Sequence, residues 1–242
     1  MENCELSVIM PAYREADALR QLLPVLVPAV KALSERAEIL IADSMEPLDD
    51  TEVVCTEYGV RHLHRTGGNA YGDAVRTGIR NSTGKFVLLM DADGSHNPRD
   101  IERLWSARKS HDVVIGSRYA KGGSTENPVV LIWMSRVLNY LYKFAFSLPV
   151  SDVSNSFRLY RGTQLRSVEL VSSDFDIVEE ILIRLAFGPA KATITEVPVT
   201  FEQRKAGKSK RNLPAFVLSY LGSIMTMRKF RAAELDKEKR RA

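Results

Sequence analysis

With 242 residues, 45% hydrophobic and 26% charged, the chain has room for one large soluble α/β domain and an appendage. Its two cysteines, Cys4 and Cys55, exclude a disulfide-built scaffold. The net charge of +4 is modest and gathers late, with Arg204, Lys205, Lys208, Lys210 and Arg211 forming the better anion-site candidate and no nucleic-acid-binding motif in view. The start has no basic leader followed by a long apolar run, so a cytoplasmic location is expected.

Leu6 to Met10 reads as a short buried strand ended by Pro11. Ala16 to Ser34 has helical apolar spacing, with Pro24 and Pro28 expected to kink or divide it. A second strand, Glu38 to Ala42, ends at Asp43-Ser44. Thr51 to Tyr58 suits a helix stopped by Gly59, and Val60 to His64 a third strand. The Gly67-Gly68-Asn69 loop leads into a helix over Tyr71 to Asn81, and Phe86 to Met90 is the fourth strand. A helix near Pro98 to Lys109 precedes a strand over Asp112 to Gly116. This alternation predicts a mainly parallel sheet with helices on both faces.

Later segments are less regular. Pro128 to Leu148 is apolar but punctuated by Ser135, Arg136, Asn139 and Lys143, which suits a packed or amphipathic helix pair better than a bilayer span. Thr193 to Phe201 reads as a strand. Leu213 to Met227 reads as a helix that either packs on the domain or meets anionic lipid through Arg228-Lys229. The expected organisation is a catalytic domain over 1–212 and a membrane-proximal helical segment with a basic tail over 213–242.

Asp91-Ala92-Asp93 follows the fourth strand directly. Two carboxylates at a strand end suit a hard divalent cation and the phosphates it carries, and they lie where open α/β sheets bind ligands. The same stretch also reads as a simple turn, because Gly94, Ser95, Asn97 and Pro98 follow.

Pro11-Ala12-Tyr13-Arg14-Glu15, Asp43, Asp91-Ala92-Asp93 and Gly116-Ser117-Arg118 stand in that order at successive strand ends. With Asp152 to Arg158 and Arg204 to Lys210, they resemble the family 2 glycosyltransferases of the GT-A fold, in the dolichol-phosphate mannose synthase-like, or polyprenyl-phosphate glycosyltransferase, branch. The resemblance runs from about Leu6 to Met227. It implies a GDP- or UDP-sugar donor held by Pro11, Tyr13, Glu15, Asp43 and Ala92. It implies Mg²⁺ or Mn²⁺ at Asp91 and Asp93, with Ser95 where relatives often carry a ligating Gln. Arg204 and Lys210 match contacts to the donor phosphates, and Glu180 an acidic position near the donor sugar, ahead of neighbouring Glu179. Arg118 and Ser135 match residues that hold a polyprenyl phosphate acceptor. Relatives often carry a further arginine where this chain has Leu131; Arg136 is the candidate substitute.

The implied reaction is inverting transfer of mannose or another hexose. A phosphate acceptor is already anionic near neutral pH, so no enzyme carboxylate has to remove a proton; the site has to hold two anions together. The expected location is peripheral, on the cytoplasmic face of a membrane, through lipid contact or a membrane-protein partner. Two alternatives stand beside this reading: a related enzyme with a sugar or protein hydroxyl acceptor, and a non-catalytic basic module that binds membrane or nucleic acid.

Overall fold

The computed structural model describes residues 4–204 and 213–241. Its centre is a strand, β1 (Leu6–Pro11), in which every residue is buried. Such a run, apolar without alternation, belongs in the middle of a sheet covered on both faces. Parallel neighbours β2 (Ala37–Asp43) and β4 (Phe86–Leu89) flank it, with Val8 opposite both Ile39 and Leu88. β3 (Arg61–His64) forms the edge beyond β2. On the other side follow β7 (Arg158–Arg161), β5 (Val113–Ser117) and β8 (Ile194–Pro198), giving the order β3-β2-β1-β4-β7-β5-β8.

β7 is the departure from a purely parallel sheet. It lies antiparallel between β4 and β5, its Leu159 opposite both Leu88 and Val114. No strand was expected there, because Arg-Leu-Tyr-Arg does not read as a central strand. Arg158 is nevertheless fully buried, and its guanidinium donates to the carbonyls of Asn155, Val178 and Val153. Those bonds satisfy a charge whose burial would otherwise be costly.

The expected strand over 193–201 is divided. β8 stays in the main sheet, while β9 (Thr200–Phe201) pairs with β6 (Ser124–Thr125) in a separate two-stranded ribbon.

Helices close both faces. On one, α1 (Ala16–Leu33), α2 (Thr51–Glu57) and α4 (Ile101–Ala107) bury Leu19, Leu22, Leu26, Val54, Leu104 and Trp105 against the strands. α1 is one continuous helix, not divided by its two prolines. Pro24 and Pro28 lie four residues apart on its exposed side, where water can serve the carbonyls that lose partners. The other face is covered by α3 (Tyr71–Asn81), α5 (Val129–Phe146), α6 (Gly162–Ser167), α7 (Ile177–Phe187) and α8 (Leu213–Arg241).

α5 corrects a second expectation. It is a single 18-residue helix, not a pair, and it is poorly covered. Tyr142 and Phe146 enter the core, but Val129, Val130, Trp133, Tyr140 and Phe144 are 68–80% exposed. α8 runs unbroken from the apolar segment into the basic tail. It docks on α7 through Met227 and Phe230, with the Arg184 guanidinium 4.8 Å from the Phe230 ring and that of Arg231 4.3 Å from Phe187.

Candidate active site

The carboxyl ends of β1 and β4 open side by side into a cavity of about 290 Å³. Pro11, Ala12, Tyr13 and Glu15 enter from β1 and the chain after it, and Asp91, Ala92 and Asp93 from the end of β4. Arg204 joins them from the far end of the described domain. Seven residues of the expected donor and metal set, Pro11, Tyr13, Glu15, Asp91, Ala92, Asp93 and Arg204, therefore share one wall. Its size is close to the lower end of small-molecule sites.

Each acidic side chain is oriented by neighbours. Asp93 is 5% exposed; its Oδ1 accepts from the Ser95 hydroxyl at 2.6 Å and the Ser95 N–H at 3.0 Å. Arg204 Nε stands 2.9 Å from Asp93 Oδ2, and its Nη1 3.9 Å from Glu15. Asp91 Oδ1 accepts from the hydroxyls of Tyr71 at 3.1 Å and Ser156 at 3.0 Å. Two oriented carboxylates with all-oxygen donors fit Mg²⁺ or Mn²⁺, and the guanidinium already resting on Asp93 marks where positive charge is favoured.

Three expected residues stand elsewhere. Ser95 is fully buried behind Asp93, so its hydroxyl fixes that carboxylate and adds no oxygen to the cavity wall. Asp43 is buried beneath the site, its Oδ2 3.2 Å from His62 Nε2. Glu180 is also fully buried. It accepts from the N–H groups of Val171 and Ser172 and pairs with Arg184 at 2.7 Å, so it braces a loop and does not face the cavity. Lys210 lies outside the described residues.

The wall also contains residues not expected from the sequence: Arg65, Asn69, Ala70, Tyr71, Asp174 and Phe175. Arg65 follows β3 directly and donates to the carbonyls of Asp43, Asn69, Ala70 and Ala12, clamping three segments. Burial pushes its pKa below the ordinary guanidinium value, opposed by the charges of Asp43 and Asp73. Tyr71 stacks on Phe175, ring centroids 4.4 Å apart. The loop before Tyr71 is tight at Gly68, where a Cβ would stand 2.6 Å from Asp73 Oδ2. That carboxylate is in use, accepting from the Ala70 N–H as α3 begins.

Arg118 and Ser135 do come together. The Arg118 guanidinium donates to Ser135 Oγ at 3.1 Å and Ser154 Oγ at 2.9 Å, and grips Asp152 with Nε and Nη2 at 2.8 and 2.7 Å. Burial works against the Arg118 charge, but Asp152 outweighs it and raises the pKa. Arg136 lies nearby, its guanidinium 5.2 Å from the Tyr119 ring, which Arg118 also approaches at 5.1 Å.

Three consecutive residues connect this cluster to Asp91. Ser154 contacts Arg118, Ser156 contacts Asp91, and between them the Asn155 amide donates to the Gly116 carbonyl at 2.6 Å. Asn155 Oδ1 meets His96 Nε2 at 3.1 Å, and His96 Nδ1 accepts from the Asp91 N–H at 3.0 Å. The buried His96 ring, stacked on Phe157, is thus a neutral positioning group. Ser154 and Ser156 are two residues apart, so their Cα atoms are separated by at most about 7 Å.

A model of Glycosyl transferase family 2 matches residues 7–167, more than half of the chain. A dolichol-phosphate mannosyltransferase of Pyrococcus furiosus is 31% identical, over 96% of this chain and 66% of its own length. An undecaprenyl-phosphate mannosyltransferase of Micrococcus luteus is 31% identical, over 84% of this chain and 85% of its own. A polyprenol monophosphomannose synthase of Mycolicibacterium smegmatis is 33% identical, over 84% and 79%. Among solved structures, glucosyl-3-phosphoglycerate synthase from Mycobacterium tuberculosis, in complex with Mn²⁺, UDP and glucosyl-3-phosphoglycerate, superposes with a TM-score of 0.69. That match covers 92% of this chain and 79% of the other at 16% identity, a likeness of fold. The mainly parallel sheet with its strand-end acidic pair is therefore a GT-A-like fold. On sequence and on architecture together, the chain is a glycosyltransferase and belongs to Glycosyl transferase family 2.

Proposed function

We propose that this enzyme transfers a hexose, mannose by the names of its relatives, from a GDP- or UDP-linked donor to a polyprenyl phosphate, with inversion at the anomeric carbon. The observation that carries the reading is the Arg118–Ser135–Ser154 cluster, tied to Asp91 through residues 154–156. It offers a cation and two hydroxyls for a phosphate within reach of the donor carboxylates.

In this reading the nucleotide lies against Tyr13, Arg65 and the Tyr71–Phe175 pair, while Glu15 and Ala92 line the same wall. Asp91 and Asp93 would hold Mg²⁺ or Mn²⁺, which supplies Lewis-acid neutralisation of the departing nucleoside diphosphate. Arg204 exchanges its contact with Asp93 for the diphosphate, and Lys210 supplies a second cation to it. Arg118 and Ser135 orient the acceptor phosphate for direct attack. Asp152, the carboxylate bound to Arg118, is fully buried and held by two hydrogen bonds from that guanidinium, which suits an acceptor that needs no general base.

The exposed apolar side of α5 supports lipid delivery. Ser135 sits on this helix beside Arg118, while Trp133, Tyr140 and Phe144 face outward. By length and composition α5 is long and apolar enough to cross a membrane, but it carries Arg136 and Lys143, and its Tyr142 and Phe146 are buried in the protein core. It fits a helix lying in the membrane interface, with the acceptor's chain in the bilayer and its phosphate at Arg118.

The test is transfer by purified protein with a panel of GDP- and UDP-sugars, Mg²⁺ or Mn²⁺, and a short polyprenyl phosphate in detergent. A metal-dependent glycosyl-phospholipid is the expected product. Donor binding with product only on sugar or protein hydroxyls would replace this acceptor assignment.

A further inference from the structure

The outer edge of the sheet carries a cluster that sugar transfer does not use. His62 and His64 are two residues apart on β3 and leave the same face of the strand. Glu52 approaches them from the first turn of α2, and one donor atom from each residue lies within 4.8 Å of the other two.

Both imidazoles are held by groups that can only accept. His62 Nε2 lies 3.2 Å from Asp43 Oδ2, and His64 Nδ1 lies 3.0 Å from the Ser44 carbonyl oxygen. A carboxylate and a carbonyl accept hydrogen bonds, which assigns the ring protons to those two nitrogens. In the neutral rings, His62 Nδ1 and His64 Nε2 then carry the lone pairs. Histidines that ligate metals commonly donate their other ring N–H to a carboxylate or a backbone carbonyl. This edge supplies one of each.

We propose that Glu52, His62 and His64 form a binding site for a transition-metal dication of the zinc class, separate from the cation at Asp91 and Asp93. Two imidazoles and a carboxylate are a Zn²⁺-type donor set, whereas the cavity's all-oxygen donors suit Mg²⁺ or Mn²⁺. Donors bonded to zinc at about 2.0–2.2 Å stand about 3.4 Å apart in a tetrahedron, so the trio closes by roughly 1 Å on binding. Glu52 and His64 are exposed and can make that movement without disturbing the strand. Three protein ligands leave the fourth position to water.

The site is tested with the full chain, stripped of metal by a chelator and titrated with ZnCl₂ against a fluorescent zinc indicator in excess Mg²⁺. Uptake of about one equivalent is expected, weakened at least tenfold in His64→Ala and in Glu52→Gln. Both positions are exposed, and circular dichroism checks that both variants fold. A double variant, Asp91→Asn with Asp93→Asn, is expected to bind Zn²⁺ as the parent does. No stoichiometric uptake, equal affinity in His64→Ala, or loss in the Asp91 and Asp93 variant would each overturn the proposal.

Discussion

Asp93 has its two oxygens divided between a fixed side and a working side. Ser95 holds Oδ1 from behind, while Oδ2 faces the Arg204 guanidinium in the cavity. Asp93→Asn keeps the shape and removes the charge. Metal-dependent turnover should fall at least about 100-fold, the scale of several kcal/mol of Lewis-acid stabilisation, with the melting temperature little changed. Ser135→Ala is the cleaner probe of the acceptor side, because Arg118 is bound to a fully buried Asp152. Removing Arg118 would strand that carboxylate, at a cost of about 3–5 kcal/mol. Ser135→Ala should raise the acceptor KM several-fold, consistent with a hydrogen bond of about 0.5–1.5 kcal/mol, and leave the donor KM in place. Steady-state kinetics with each substrate varied separately checks this. The sequence made Asp91, Asp93 and the Arg118–Ser135 pair legible, because each follows a strand or lies in a recognisable motif. Arg65 carried a weaker signal, as the residue directly after the third strand. Phe175 carried none, since its place depends on a loop about 100 residues from Tyr71 closing over α3.

At the scale of elements, the segment 154–156 couples the two halves of the site through His96. His96→Ala removes the acceptor for the Asp91 N–H and the partner of Asn155, and opens a gap beside Phe157. A loss of about 1–3 kcal/mol in stability is expected, with kcat reduced more than either KM. Denaturant unfolding and kinetics together measure it. This segment was visible as a motif but not as the prelude to β7. An antiparallel strand between parallel ones breaks the alternation that reveals βαβ units, and buried Arg158 disguises it further. α5 eluded the sequence for another reason: its composition states that it is apolar, but only packing shows that the apolar side points outward. If that side meets lipid, Trp133→Asp and Phe144→Asp should each lower partition onto anionic vesicles about tenfold or more, because each replaces a large exposed apolar group, available to the bilayer, with a charge. Co-sedimentation at fixed lipid concentration reads the change.

Across the whole molecule, chemistry lies at the carboxyl ends of the strands and bracing at the opposite end. There Glu38 on β2 binds Ser7 of β1, Thr83 ahead of β4 and Arg61 of β3. Burial alone would raise its pKa, but these hydrogen bonds outweigh it and hold the carboxyl below its usual range. The stabilisation is therefore complete above the ordinary glutamate pKa, about 4.3, and is lost as pH falls through the lower folded value. Melting temperatures taken from neutral pH into this acid range should drop more steeply for the parent than for Glu38→Gln, which cannot titrate. This bracing matters to the site because β1 and β4, joined at one end through Ser7 and Thr83, present the two halves of the cavity at the other.

The most direct measurement compares a short polyprenyl phosphate with the corresponding polyprenol, under the same donor and metal. Transfer to the phosphate alone, lost in Asp93→Asn and weakened in Ser135→Ala through the acceptor KM, is the predicted result. Equal transfer to the polyprenol would contradict the account, because the Arg118 cluster would then not be selecting an anionic nucleophile.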